Sequence, residues 1–156
     1  MGFTRYRCAE HVRHVMGARF FVDLLAEMVT GGKCLRSHFA YLGWLCGAPE
    51  SAAGLRAAAS LELLHVFALV QDDIMDGASL RRGRQSVHLR LAAWQREQGS
   101  DGDAARFGES AAMLLGDLCL VWADQLLRDS GVDAAGVARA WPRYDALRSE
   151  LAVGQL

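Results

Sequence analysis

The chain has 156 residues, 52% of them hydrophobic, and a formal net charge of -1 at pH 7, which suits one domain with its own core and no polyelectrolyte partner. Lys and Arg are scattered rather than gathered on one predicted face, so no cationic stripe follows a phosphate backbone and nucleic acid is not an expected partner. Every apolar run meets Glu, His or Asp before the ~20 residues that span a bilayer, so no transmembrane helix is expected.

The opening stretch, MGFTRYRCAEHVRH, has neither an apolar signal core nor a small-residue cleavage site, and Tyr6 stands where a myristoylation signal has Ser or Thr. The expected compartment is the cytoplasm. Apolar residues recur at three- and four-residue spacing in every long segment, which predicts helices over about residues 8–29, 33–46, 51–75, 84–97, 103–129 and 133–155. The breaks fall at Gly31-Gly32, at Gly47 to Pro49, from Gly77 to Gly83 and from Gly99 to Asp103. Neither strand-like alternation nor an internal repeat is present, so the expected fold is a single all-α domain. Within it, GDLCLVWADQLL is apolar nearly all round and predicts a helix at the centre of a bundle. The closing SELAVGQL reads as part of a helix that continues. Cys8, Cys34, Cys46 and Cys119 match no CxxC or zinc spacing and are expected to be reduced thiols, mostly buried.

The stretch QDDIMD, residues 71–76, places three carboxylates at the end of the apolar run LELLHVFALV. Asp72 and Asp76 are four apart and share a helix face, where like charges repel, and they lie at the helix end whose dipole disfavours acids. A hard divalent cation resolves both conflicts, and magnesium typically takes one or two carboxylates and completes its shell with water and substrate phosphate. A solvated helix end would show the same three acids, so the neighbours decide. Arg81 and Arg82 follow on a Gly-flanked loop, where guanidiniums either neutralise the acids or hold a diphosphate bidentately. Upstream, GGKCLRS places Lys33 and Arg36 at a predicted helix start behind two glycines, which favours an anion, although this pattern alone is common. His65 lies two turns before Asp72; a lone His in an apolar helix is more often a core residue than a ligand contact.

Taken in order, GGKxxR, then ExxH and DDIMD, then RRG, the chain resembles the N-terminal half of the trans-isoprenyl diphosphate synthases, the polyprenyl synthetase family, with farnesyl and geranylgeranyl diphosphate synthases most similar. The resemblance runs from about Gly31 to Leu156. It implies an all-α bundle with a central cavity, and extension of an allylic diphosphate by isopentenyl diphosphate with Mg2+. Carried over by position, Asp72 and Asp76 are the metal ligands with Asp73 supporting them. Arg81 holds the allylic diphosphate. Lys33, Arg36, His65 and Arg82 hold isopentenyl diphosphate, and Gln155, in the closing ELAVGQL, joins the substrate-binding residues. Magnesium and arginine would stabilise the departing pyrophosphate as the allylic carbon becomes a cation; the isopentenyl double bond attacks it, and a proton is lost to the released pyrophosphate. Phe67, Leu64 and Met113 are expected to line the apolar cavity that keeps water from the cation. Phe67, five residues before Asp72 and hence ~7.5 Å along the helix, is the expected floor that sets product length at fifteen to twenty carbons, with twenty favoured.

Two positions depart from the family pattern: Cys34 and Ser37 stand where the family usually has Arg and Pro. Length is the larger departure, because family members run to roughly twice this size as one domain, with a second aspartate-rich motif in the remainder. Acting alone, the chain is therefore expected to be inactive or very weak, with apolar helix faces that need a partner. A homodimer is expected, as is common in the family. A class I terpene cyclase would share DDxxD but has no use for GGKCLR, His65 and the Arg81-Arg82 pair. A non-catalytic subunit that packs against a full-length synthase stands as the alternative of another class.

Overall fold

The computed structural model describes residues 18–155. Six helices follow in chain order: α1 (Ala18–Thr30), α2 (Leu35–Leu45), α3 (Ala52–Met75), α4 (Val87–Glu97), α5 (Ala104–Arg128) and α6 (Ala134–Gly154). Between α3 and α4 lies a small antiparallel hairpin, β1 (Leu80–Arg81) and β2 (Arg84–Gln85). The all-α expectation holds. The portion of the first predicted helix before residue 18 lies outside the described residues, as does Cys8; of the other cysteines Cys119 is buried, Cys34 half-buried and Cys46 exposed, which corrects the expectation that they are mostly buried.

Local chemistry accounts for the helix starts. Ser51 caps α3 by accepting from the backbone N–H of Ala53 and Gly54, and Asp103 does the same for α5 with Ala105 and Arg106. Asp133 accepts from Gly136 at the head of α6. Each satisfies donors that the first turn leaves without intrahelical partners.

The core forms around α3 and α5, which pack side by side. Leu63, Val66 and Val70 from α3 meet Ala112, Cys119, Trp122 and Ala123 from α5, with Leu24 and Leu25 of α1 and Leu91 of α4 closing one side. Phe20 stacks on Trp94 at 5.7 Å, and Trp94 stacks in turn on Phe107 at 6.2 Å, which ties α1, α4 and α5 at one end. The crossing of α4 over α5 is closest at Gly108, where a β-carbon would lie 2.2 Å from the carbonyl oxygen of His88. No residue with a side chain fits there without moving backbone.

Two expectations are corrected. Arg84 and Gln85, placed in a helix by periodicity, belong to β2, and α4 begins only at Val87. Arg82 (φ 54°) and Gly83 (φ 76°) are both left-handed, the requirement of a type I′ turn, so the chain doubles back after Arg81. Second, α2 starts at Leu35 rather than residue 33, because Cys34 is also left-handed (φ 50°), and Lys33 lies before the helix. By length and composition α3 and α5, of 24 and 25 residues, are apolar enough to cross a membrane. Here they are the central pair of the core.

One face of α5 is open. Met113, Leu114 and Val121 are exposed, so GDLCLVWADQLL is buried along one side only. Leu35, Phe39 and Leu42, spaced for one helix face, are likewise exposed on α2.

Candidate active site

The acidic cluster closes α3 beside the hairpin. One turn separates Asp72, one-third exposed, from the exposed Asp76. Asp73, 100° further round the helix than Asp72, points inward and is 1% exposed. The three acids therefore do different work. Arg81 reaches back from β1 and donates to both Asp72 and Asp73; its Nε lies 2.7 Å from Asp73 Oδ1 and its Nη2 also bonds Asp72 Oδ2. The hydrogen bond to Asp73 holds the Arg81 guanidinium above its already high ordinary pKa. Asp73 Oδ2 is buried with no hydrogen-bond partner.

From the other side, Gln155 Nε2, at the end of α6, donates to Asp72 Oδ1 at 3.1 Å. Asp72 is thus held through each oxygen by a residue from a different element. No group of three or more His, Cys, Asp and Glu side chains converges as a metal cage among the described residues. What the site offers is a face of hard oxygen donors, Asp72 and Asp76, next to a buried carboxylate oxygen that lacks a donor. This set fits a magnesium ion that draws most of its shell from water and phosphate.

Arg82 serves a second pocket. Its side chain lies over the backbone of Gly31 and Gly32. A β-carbon on Gly32 would lie 2.8 Å from its Nη2. That contact is the structural use of the Gly-Gly pair. Arg82, Lys33, Arg36, Glu62 and His65 line a cavity of about 420 Å³ together with Cys34 and Leu35.

Inside it, Arg36 Nη1 lies 3.0 Å from His65 Nε2. A guanidinium only donates, so Nε2 accepts and the imidazole proton belongs on Nδ1. Burial, then the Arg36 charge, hold the His65 pKa below its ordinary value. Ser37 donates to Glu62 Oε1 twice, through Oγ at 2.6 Å and through its backbone N–H at 3.1 Å. Burial and the Glu62 charge push the Cys34 thiol up, so it stays protonated at neutral pH.

The sequence-predicted residues fall into two adjoining groups. Asp72, Asp73, Arg81 and Gln155 are in direct contact, with Asp76 a turn away; Lys33, Arg36, His65 and Arg82 share the second cavity. Phe67 packs near Gly116 of α5, where a β-carbon would be 3.7 Å from its ring, and Met113 is exposed nearby on the same helix. Leu64, at 2% exposure, is inside the core instead of on a cavity surface, which corrects its expected place.

Glu27 was not anticipated. Its carboxylate takes Arg90 at 3.0 Å and also Arg84, tying β2 and α4 to α1. Burial raises its pKa, yet the two arginines outweigh this and hold it below the ordinary value. It borders a smaller cavity of about 260 Å³ with Arg81, Arg82 and Asp73. No local pattern announces a pair 63 residues apart.

An all-α bundle with an acid-lined helix end, paired arginines and an adjoining cationic cavity has the architecture of the isoprenoid synthases. The chain belongs to the polyprenyl synthetase family, whose pattern matches residues 19–156. It is 28% identical to the geranylgeranyl diphosphate synthase of Methanosarcina mazei over 88% of this chain and 36% of that protein. It is 32% identical to the nonaprenyl diphosphate synthase of Mycobacterium tuberculosis over 74% of this chain and 30% of the relative. The crystal structure of geranylgeranyl pyrophosphate synthase from Corynebacterium glutamicum, complexed with isoprenyl diphosphate and magnesium, superposes with a TM-score of 0.78 at 31% identity, covering 97% of this chain and 47% of that one. The chain thus spans about half the length of the solved relative and about a third of the curated ones.

Proposed function

We propose that this chain provides the diphosphate-binding half of a prenyltransferase that joins isopentenyl diphosphate to an allylic diphosphate. The observation that carries this reading is the different partners of two consecutive arginines. Arg81 is bound to the aspartates, while Arg82 turns into the cavity of Lys33, Arg36 and His65. Two diphosphates that must react need two anion sites sharing a wall, and the hairpin turn supplies that wall. A terpene cyclase, with one diphosphate, leaves the second cavity without purpose.

Asp72 and Asp76 would hold Mg2+, which supplies Lewis-acid stabilisation of the pyrophosphate leaving group. Arg81 is placed to exchange part of its bonding from Asp72 and Asp73 to the allylic diphosphate, adding charge-assisted donors to the same oxygens. Lys33, Arg36 and Arg82 bind the isopentenyl diphosphate, which undergoes no bond cleavage at its phosphate. His65 donates through Nδ1 or, once an anion offsets the Arg36 charge, as the imidazolium. No side chain has to act as nucleophile, because the attacking electrons come from the isopentenyl double bond and its lost proton goes to the released pyrophosphate. Phe67, backed by Gly116, is the proposed floor of the growing-chain cavity, for a product of fifteen to twenty carbons with twenty favoured.

The chain spans 47% of the solved relative, and we infer that its 156 residues alone turn over weakly or not at all. The exposed faces of α2 and α5 favour assembly with a second chain, a homodimer by preference. Calorimetric titration tests the two-site reading. Isopentenyl diphosphate binds without Mg2+ and loses affinity in Arg36→Gln, whereas an unreactive allylic analogue needs Mg2+ and loses affinity in Asp72→Ala. A single site that either variant abolishes for both ligands contradicts it.

A further inference from the structure

The C-terminal half of α6 is held in an unusual way. Of the described side chains on this helix only Tyr144 is buried. Pro142 lies inside it and removes the N–H that would bond the carbonyl of Ala138. Tyr144 sets the segment beyond into the core, and Arg148 adds a polar tie. Its Nη1 donates to both oxygens of Asp124 on α5, at 2.9 and 2.8 Å, and its Nη2 donates to Asp145. The guanidinium also lies over the Tyr144 ring at 4.7 Å and the Trp141 ring at 5.9 Å. Bridging two carboxylates through separate nitrogens while stacking on two rings is specific to the planar guanidinium of arginine.

Seven residues on, nearly two helical turns and ~10 Å along the same face, Gln155 donates to Asp72. The two contacts bracket one segment, one on α5 and one on α3. We propose that Arg148 is a positioning residue: by clamping the end of α6 to Asp124 it sets Gln155 against Asp72 and so fixes the direction of that carboxylate. With Gln155 on Oδ1 and Arg81 on Oδ2, each oxygen of Asp72 keeps one lone pair for a further partner. Without Gln155 the carboxylate is free to turn both oxygens to Arg81 in a bidentate pair that competes with a cation. The metal arm of this proposal rests on the reading of Asp72 as a magnesium ligand; the contact itself does not.

The test reads both arms on the 156-residue chain. The side-chain amide of Gln155 is followed by NMR, and Mn2+ affinity, in place of Mg2+, is measured by EPR. Arg148→Lys keeps the charge but loses the two-nitrogen bridge and the stack, and Asp124→Asn weakens the same clamp from the other side, in case the first variant unfolds the helix. Both are expected to shift the Gln155 amide toward its position in Asp72→Ala, with helicity by circular dichroism unchanged. Mn2+ affinity should fall roughly 3- to 10-fold, the weight of one hydrogen bond, by the same factor as in Gln155→Ala, and the double variant Arg148→Lys/Gln155→Ala should fall no further. A Gln155 amide that stays in place when the clamp is broken overturns the proposal, as does an unchanged Mn2+ affinity beside a displaced amide. If the amide moves as expected but the wild-type chain binds no Mn2+, the positioning stands and the metal reading fails.

Discussion

Gly32→Ala separates binding from folding. The added methyl would lie 2.8 to 3.1 Å from three guanidinium atoms of Arg82, the mobile end of a half-open side chain, while no backbone atom outside the local chain is that close. Carbon contacts settle near 3.5 to 4.0 Å, so the guanidinium must retreat by about 1 Å. The fold absorbs this easily, and the stability change should stay within about 1 kcal/mol, the range of ordinary Gly-to-Ala effects. Binding does not absorb it. A hydrogen bond to a charged group contributes about 1.5 to 3 kcal/mol, so displacing Arg82 from its diphosphate should weaken isopentenyl diphosphate about tenfold or more. Calorimetry with that ligand, beside a thermal melt, gives both numbers. If affinity is retained in Gly32→Ala while Arg82→Gln loses it, the packing of Arg82 on the Gly-Gly backbone is not what aims it.

Three further outcomes are expected. Because burial and Arg36 hold His65 below its ordinary 6.5, the folded state takes up its proton less readily than the unfolded chain. Its contribution to stability is therefore flat above about pH 6.5 and is lost as the pH falls below that value; urea midpoints from pH 7.5 to 5 should fall less steeply in His65→Gln than in the wild type. Gly108→Ala forces a β-carbon against the His88 carbonyl, where only backbone can yield, and should cost about 1 to 3 kcal/mol or more in denaturant unfolding. Arg81→Gln leaves Asp73 buried at 1% exposure without its cation and should cost about 3 to 5 kcal/mol, so activity lost in that variant must be read beside its melting curve.

The helices and the two residue clusters of the candidate site were legible because they rest on local chemistry: three- and four-residue apolar spacing, glycines at turns, and acids and arginines concentrated in short stretches. The hairpin was not, since two residues per strand are too few to show alternation and the type I′ turn uses Arg82, a residue with no bias to a left-handed backbone. The inward turn of Asp73 was legible in principle from the 100° step per residue, but the acids were read as one cluster. The Glu27 tie to Arg84 and Arg90, and the Arg148 clamp on Asp124, join residues distant in sequence that ordinary surface charges resemble. Ser37 shows the limit of pattern matching. Read as a lost family residue, it proves to be the donor that fixes Glu62 at the foot of the cationic cavity.

The most direct measurement is chain extension. The purified chain, alone and mixed with a catalytically disabled full-length relative that supplies the remaining half of the fold, is incubated with Mg2+, labelled isopentenyl diphosphate and each of three allylic primers, and the products are separated after dephosphorylation. Extension in the assembled form that disappears in Asp72→Ala, with little or none from the chain alone, is the predicted result. Extension that survives Asp72→Ala would contradict it, as would assembly without isopentenyl diphosphate binding.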